Sequence, residues 1–313
     1  MLSRIADSLY WLDRYMERTA GILLILRTEY VLALDKGSEE PHSWRPVLEH
    51  FSQADKATLD ACQYHTQETL RHIITDMANG NSLRALLTRA RENARGAQDQ
   101  ITKEVWEEVN RIYHAVHAPG FEEVLRQSDT LELLDRMTEM TTLYRGVASG
   151  TMPRGMGWGF MNIGKHTERC LLTLDLADRY LDEIGYALND ARDILHWRQL
   201  LLSLSGYELH LKTYRSPRHT RNVTDQLLFN RQFTHSVRYT MDKISHYLAE
   251  VTQGNDPNVR ERILREFGRM HSRLRYADLD QVEEIGPKAF IAELRNGLYG
   301  FTRSLSQAFF SYA

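Results

Sequence analysis

The pair Glu-Arg occurs at two matching places inside long helical patterns of this chain, as Glu17-Arg18 and as Glu168-Arg169. Aligning the two glutamates places residues 14–18, Arg-Tyr-Met-Glu-Arg, over residues 165–169, Lys-His-Thr-Glu-Arg. A helix can carry such charges into a bundle interior only where they find partners, because an unpaired buried charge is strongly destabilising. The repeat therefore predicts two long helices that meet around a polar centre, each glutamate accepting hydrogen bonds from arginines of another helix.

Apolar side chains run along one side of both Glu-Arg segments. The first stripe comprises Leu2, Ile5, Leu9, Leu12, Met16, Thr19, Leu23 and Leu26. The second stripe comprises Phe160, Ile163, Thr167, Cys170, Leu174, Ala177, Leu181 and Ile184. Steps of three and four residues return to one side of an α-helix, so each segment is predicted to be a long amphipathic helix. Ser3 is placed to cap the first helix, and Lys36-Gly37 marks its end.

Helical patterns separated by Gly, Pro and Asn fill the rest of the chain. Before the second Glu-Arg segment they cover residues 66–78, 82–95, 101–116 and 129–150. After it they cover residues 190–205, 223–229 and 233–251, and two helices that open at Asp256-Pro257 and Gly286-Pro287. No segment shows the alternation of a strand. We therefore predict an all-α fold, a multi-helix bundle with two long Glu-Arg helices, forming a single domain over residues 1–313 with pseudo-repeat halves 1–150 and 151–313.

Composition excludes several classes of protein. A chain of 313 residues with 42% hydrophobic content can bury a large core. Its net charge of −3 gives no electrostatic basis for binding nucleic acid or an anionic membrane. The apolar run at residues 22–26 ends at Arg27, far short of the roughly 20 residues that span a bilayer. Two cysteines are too few for a disulfide framework, and the N-terminus lacks a signal-peptide pattern, so a cytoplasmic location is expected.

Sequence motifs point to neither a metal nor a cofactor. One predicted helix face carries His65, Glu68, His72 and Asp76. No His-Glu-x-x-His pattern and no paired Glu-x-x-His motif accompanies them, so we interpret them as a solvated face and expect no metal. Residues 155–159 contain three glycines, but Phe160 occupies the last glycine position of a dinucleotide fingerprint. In the absence of a Walker lysine motif or a nucleophile elbow, no cofactor is expected and no catalytic residue is identified.

Ordered blocks of sequence carry a more specific likeness. They are SLYWLDRYMER at 8–18, RARENARG at 89–96, residues 150–152 leading to Gly157-Trp158 and Glu168-Arg169, SLSGYE at 203–208 and FTHSVR at 233–238. Together they resemble the bacterial alpha-E domain family over essentially the whole chain. The chain departs from the family pattern at Lys165-His166, where Arg-Tyr is common, and at residues 154–157, which are glycine-rich where acidic residues are usual.

The resemblance implies a set of partners. Members of the alpha-E family are helical proteins associated with circularly permuted ATP-grasp ligases and with transglutaminase-like proteases. The resemblance therefore implies a pathway that forms or modifies peptides, with a circularly permuted ATP-grasp protein as the expected partner. A transglutaminase-like protease of the same pathway is a second expected partner, and a peptide or amino acid is the expected ligand.

The charged residues of the Glu-Arg motifs admit two interpretations. The residues concerned are Arg14, Glu17, Arg18, Arg91, Glu92, Arg95, Glu168 and Arg169. In the first interpretation they form a pocket in which arginines bind a carboxylate or phosphate, because the planar guanidinium suits bidentate contacts. In the second, which we favour, they form an internal ion-pair network that joins the two long helices to the helix at residues 91–95.

Two functions follow from these patterns. The first is a non-catalytic helical partner or substrate-presenting module for an ATP-grasp amide or peptide ligase, since the family association is accompanied by no catalytic signature. The alternative is an enzyme of the same peptide-modifying pathway that uses a buried Glu/Arg site.

Overall fold

The computed structural model describes residues 2–36, 41–52, 54–127, 129–253 and 256–310. These residues form sixteen α-helices and contain no β-strand, so the predicted all-α fold is confirmed. The first eight helices are α1 Ser3–Lys36, α2 Arg45–Phe51, α3 Lys56–Cys62, α4 Thr66–Ile74, α5 Leu83–Gly96, α6 Lys103–His117, α7 Phe121–Gln127 and α8 Thr130–Thr151. The other eight are α9 Met156–Asp182, α10 Ile194–Ser203, α11 Tyr207–Thr213, α12 His219–Leu228, α13 Val237–Val251, α14 Pro257–Tyr276, α15 Leu279–Ile285 and α16 Pro287–Phe309.

Both Glu-Arg segments form long helices, α1 with 34 residues and α9 with 27. The predicted apolar stripes are buried in each, as Leu12 and Leu23 are in α1 and Leu174 is in α9. Leu2 precedes α1 and is exposed, so the buried stripe begins one step later than predicted. The predicted stop at Gly37 lies outside the described residues.

Capping side chains set where several helices begin. Ser82, Asp193 and Ser236 each accept backbone amide hydrogens from the first turn of α5, α10 and α13. A capping residue has an extended backbone, so each helix begins one residue after it. The predicted starts at residues 190 and 233 were therefore too early by a few residues.

Five helices were not predicted, namely α2, α3, α7, α11 and α15. Each has seven residues. Two turns of helix are too short to show a repeating apolar pattern, which is the main sequence signal for a helix.

The chain divides into two compact units. The first unit is Trp11–Pro153, and in it α6 packs against both α5 and α8. Helix α8 contacts α1 through the ion pairs Arg145–Glu17 and Asp135–Arg27. Arg89 of α5 lies over the ring of Tyr15 in α1. The four helices therefore form a closed ring in the order α1, α5, α6, α8.

The second unit is Met1–Tyr10 with Arg154–Ala313. Its four long helices also form a closed ring, since α13 packs on α9 and α14, and α16 packs on α14 and α9. Helices α9 and α13 approach closely at Gly159 of α9, where an added Cβ would lie 2.4 Å from Cγ1 of Val251 in α13. Glycine at this position lets the two backbones come together.

The rings share one order of elements. In each unit a Glu-Arg helix is followed around the ring by a helix with a serine cap, Ser82 in the first and Ser236 in the second. The division of the chain into pseudo-repeat halves stays a prediction, and this shared order is an observation that favours it.

Candidate functional site

Two acidic residues of α1 contact two neighbouring residues of α8. Asp13 and Glu17 are one helical turn apart, so they lie on the same side of α1. The Tyr144 hydroxyl donates to Asp13 Oδ1 at 2.5 Å, and Arg145 Nη2 lies 3.0 Å from Glu17 Oε2. The Glu17 side chain is 4% exposed and that of Arg145 is 36% exposed, so the ion pair joins a buried carboxylate to a partly exposed guanidinium. Burial, together with the negative charge of Asp13 and its hydrogen bond, raises the pKa of Tyr144 well above its ordinary value.

The remaining members of the first motif contact aromatic rings and a turn. The guanidinium carbon of Arg14 lies 4.7 Å from the centre of the Trp11 ring, and Trp11 stacks on Tyr15 with ring centres 5.3 Å apart. Arg18 Nη1 donates to Asn81 Oδ1 at 3.0 Å. Asn81 directly precedes Ser82, the cap of α5. Arg18 thus fixes the turn from which α5 starts.

The arginines of α5 were predicted to belong to the same centre. Arg91 Nε donates to Asn110 Oδ1 at 2.7 Å, and its guanidinium carbon lies 4.6 Å from the centre of the Tyr113 ring. Both partners belong to α6, so Arg91 joins α5 to α6. Glu92 and Arg95 are exposed.

The second motif lies on α9. Lys165 Nζ donates to Asn162 Oδ1 at 2.8 Å and lies 5.8 Å from the centre of the Trp158 ring. Arg154 covers the same ring at 4.0 Å. The His166 ring is nearly parallel to that of Tyr247, at an angle of 14°. A cation over an indole therefore occurs beside both Glu-Arg pairs.

The Glu168-Arg169 pair itself repeats a contact of the first motif. Glu168 is 7% exposed. Arg169 Nη1 donates to the backbone oxygen of Thr234 at 3.3 Å, and Thr173 Oγ1 lies 2.7 Å from the backbone oxygen of His235. These loop residues precede Ser236, the cap of α13. The arginine of each pair therefore holds the loop that leads into a serine-capped helix.

The whole described fold matches one family model. Residues 1–310 match Alpha-E, a predicted alpha-helical domain with a conserved ER motif. The chain belongs to the Alpha-E family. Glu-Arg pairs lie on α1 as Glu17-Arg18 and on α9 as Glu168-Arg169, and the same dipeptide also occurs on α14 as Glu261-Arg262.

Relatives of this Alpha-E chain are longer than it is. Uncharacterized proteins of Mycobacterium bovis and Mycobacterium tuberculosis are 24% identical to it over 324 residues. The match covers 97% of this chain but 36% of those proteins, so the chain spans about a third of the length of the curated relatives it matches. No solved structure matches the chain.

The Alpha-E chain contains a polar network that sequence reasoning missed. Asp242 of α13 lies 2.6 Å from His271 Nε2 of α14 and accepts two hydrogen bonds of 3.1 Å from Arg238 Nε. Burial alone would raise the pKa of Asp242, but the hydrogen bonds from His271 and Arg238 outweigh it and hold that pKa below the ordinary value. Arg238 closes the block FTHSVR, which is the one sequence signal that pointed here.

The residues weighed as metal ligands, His65, Glu68, His72 and Asp76, form no metal-type cluster in the described part of the chain. His72 Nδ1 lies 2.9 Å from Asp76 Oδ2, and Asp76 follows the end of α4 at Ile74. Over residues 2–36, 41–52, 54–127, 129–253 and 256–310, no three His, Cys, Asp or Glu side chains are grouped to hold a metal ion. Among the same residues, no helix is long and apolar enough to cross a membrane.

Within each unit, then, the described contacts of the Glu-Arg residues lead to helices and loops of the same ring. Arg14, Glu17 and Arg18 share α1, Arg91 contacts α6, and Arg169 contacts the loop before α13. The meeting of Glu17 with Glu168 in one polar centre stays a prediction.

Proposed function

We propose that this Alpha-E chain is a non-catalytic helical partner, or a substrate-presenting module, of an ATP-grasp amide or peptide ligase in the bacterial cytoplasm. The observation that carries the proposal is the use made of the Glu-Arg side chains. Glu17 pairs with Arg145, Arg18 binds Asn81, and Arg169 binds the Thr234 backbone. Each contact fixes one helix or loop to the next, which is what a rigid binding module needs.

The ligase partner rests on the family resemblance. Alpha-E proteins are associated with circularly permuted ATP-grasp ligases and transglutaminase-like proteases. The length of the mycobacterial relatives is consistent with a module, because the Alpha-E region is about a third of those chains. A module of this kind contributes a surface for another catalytic protein or holds the peptide or amino acid that the ligase modifies.

Affinity capture tests the partnership. The tagged chain would be expressed at native level in its host and recovered without crosslinking, with an unrelated tagged helical protein as the control bait. We expect an ATP-grasp protein encoded near this chain to co-purify, with a transglutaminase-like protease as a second, weaker partner. Recovery of the chain alone, from a genome with no ligase gene nearby, would count against the proposal.

An enzyme of the same pathway is the second candidate. The observation in its favour is the burial of two carboxylates beside arginines, since Glu17 and Glu168 are only 5% and 7% exposed. Buried carboxylates serve as general acids or bases in many enzyme sites.

Turnover separates the two candidates. The purified chain would be incubated with ATP and panels of amino acids and short peptides, and products would be followed by mass spectrometry. The binding-module proposal expects no product from the chain alone. A product that disappears in Glu168→Gln, while the variant keeps its unfolding transition, would establish the enzyme instead.

A further inference from the structure

Helix α14 carries a charge opposite to that of the whole chain. Its 20 residues include six arginines and two glutamates, a formal charge of +4, whereas the complete chain carries −3. The buried side of the helix is apolar, with Ile263, Phe267 and Leu274. All six arginines are exposed, so this charge faces solvent.

Most of that charge is not neutralised within the protein. Arg265 pairs with Glu261, and Arg273 pairs with Glu293 at 2.5 Å. Arg262 and Arg269 have no carboxylate within ion-pair distance among the described residues. By contrast, Arg221 of α12 forms ion pairs with two carboxylates, those of Asp280 and Glu283.

Arg262 and Arg269 lie on one side of α14. Arg262 and Arg269 are seven residues apart, which is about two turns or about 10 Å along the helix axis. Arg265 lies between them on the same side. We call Arg262, Arg265 and Arg269 the arginine face.

Two hollows flank the Arg265–Glu261 ion pair. One has a volume of about 550 Å³ and is lined by Asn258, Glu261, Arg262, Arg265, Glu266 and Arg269. The other has a volume of about 530 Å³ and is lined by Pro257, Arg260, Glu261, Leu264 and Arg265. Each hollow therefore offers at least one guanidinium that lacks a carboxylate partner, with room for an incoming side chain.

We propose that the arginine face of α14 is a docking surface for an acidic segment of another protein. Guanidinium groups bind carboxylates through paired hydrogen bonds and are more easily desolvated than ammonium groups. Carboxylates about 10 Å apart on the partner would reach Arg262 and Arg269 together. The surface lies on α14 and uses neither Glu17-Arg18 of α1 nor Glu168-Arg169 of α9, so the proposal does not depend on the proposed function.

The lining residues favour a protein over a nucleic acid. Glu261 and Glu266 stand among the arginines and would repel a phosphate backbone, whereas a protein segment can place a lysine against each of them. The net charge of −3 also provides no long-range attraction for nucleic acid. No aromatic side chain that could stack on a base lines either hollow among the described residues.

Fluorescence anisotropy of the full chain tests the surface. The probe is a labelled peptide as long as α14 with repeated glutamates and occasional lysines, and the same peptide with glutamine for glutamate is the peptide control. The test variant replaces Arg262, Arg265 and Arg269 by glutamine. The control variant replaces Arg71, Arg126 and Arg192 by glutamine. These are exposed arginines outside α14, so the net charge changes equally.

We expect the test variant to raise the Kd for the glutamate peptide at least about fivefold. The control variant is expected to change that Kd less than about twofold. Salt at about 0.5 M is expected to weaken binding of the peptide to the wild-type chain. Unfolding curves of both variants establish that they fold. Equal losses in the two variants, or no binding of the glutamate peptide, would overturn the proposal. It would also be overturned by tighter, arginine-dependent binding of a single-stranded oligonucleotide, or by arginine-dependent self-association in light scattering.

Discussion

At the scale of single residues, the pairing of Glu17 governs how much the first motif contributes to stability. Its side chain is 4% exposed, and Arg145 of α8 lies 3.0 Å away. Arg145→Ala is expected to lower the free energy of unfolding by about 1–3 kcal/mol, because a buried carboxylate loses a charged donor. Denaturant midpoints measure the loss. The control is Arg136→Ala, at an exposed site on the same helix, which is expected to lower the free energy of unfolding by about 0.5 kcal/mol or less. Equal small losses in the two variants would mean that Glu17 is satisfied without Arg145.

Tyr144 gives a second prediction at this scale. Its hydroxyl donates to Asp13, so Tyr144→Phe is expected to destabilise by about 1–3 kcal/mol near neutral pH. Because the pKa of Tyr144 is raised in the folded state, its hydroxyl stays protonated there at pH values at which it has ionised in the unfolded chain. The tyrosine's contribution is therefore present below about pH 10 and lost as the pH rises further.

Unfolding midpoints measured from neutral to alkaline pH test this. The difference between wild type and Tyr144→Phe is expected to shrink above about pH 10. Tyr64→Phe, at a residue 56% exposed, is the control. A difference that stays constant across the range would show that Tyr144 does not titrate differently in the two states.

The sequence indicated that Glu17 and Arg18 need partners, but it did not identify them. Helical spacing places Asp13 beside Glu17, and this could have been read directly. Tyr144 is 131 positions from Asp13, so the contact depends on how α8 packs on α1, which no local pattern specifies. The same applies to Asp242 and His271, which meet only because α13 packs on α14.

At the scale of secondary-structure elements, Gly159 sets the distance between α9 and α13. A Cβ there would lie 2.4 Å from Val251 Cγ1, so Gly159→Ala is expected to destabilise by about 1–3 kcal/mol. The matched control is Gly146→Ala in α8, where an added Cβ meets nothing within 4 Å. That control is expected to stabilise by about 0.5–1 kcal/mol, since alanine favours a helix interior.

A double-mutant cycle strengthens the test of this contact. If the clash with Val251 causes the loss, the cost of Gly159→Ala is expected to be smaller in a Val251→Ala background. An unchanged cost in that background, or a stabilising Gly159→Ala, would contradict the close approach of the two helices.

Long helices were predictable because their signals are local. The first apolar stripe located α1, and Asp129 located the start of α8, whose first amides it caps. The helix starts predicted at residues 190 and 233 were too early because each helix begins only after its capping residue, Asp193 or Ser236. The order of helices around each ring depends on distant contacts and was not predictable from one sequence.

At the scale of the whole molecule, the partly exposed ion network around Asp242 contributes to the response to acid. The pKa of Asp242 is held below its ordinary value by His271 and Arg238, against the opposing effect of burial. The folded state therefore keeps this carboxylate ionised at a lower pH than the unfolded chain does. Its contribution to stability is present above about pH 4 and is lost as the pH falls through the lowered pKa.

Acid titration of unfolding midpoints tests this response. Asp242→Asn is expected to be less stable than wild type at neutral pH, with a shallower loss between about pH 4 and pH 2. Asp99→Asn, at an exposed site, is expected to follow the wild-type curve. If the unfolding midpoint of Asp242→Asn falls with pH as steeply as that of the wild type, other carboxylates are responsible for the acid transition.

The two motif arginines depend on different chemistry in the loops they hold. Arg18 binds the side chain of Asn81, whereas Arg169 binds the backbone oxygen of Thr234. Every amino acid supplies a backbone oxygen, but only some side chains supply an acceptor. Over evolutionary time, position 234 is therefore free to drift while Arg169 keeps its contact, and position 81 is restricted to residues that can accept a hydrogen bond. We therefore expect related sequences to vary more at position 234 than at position 81.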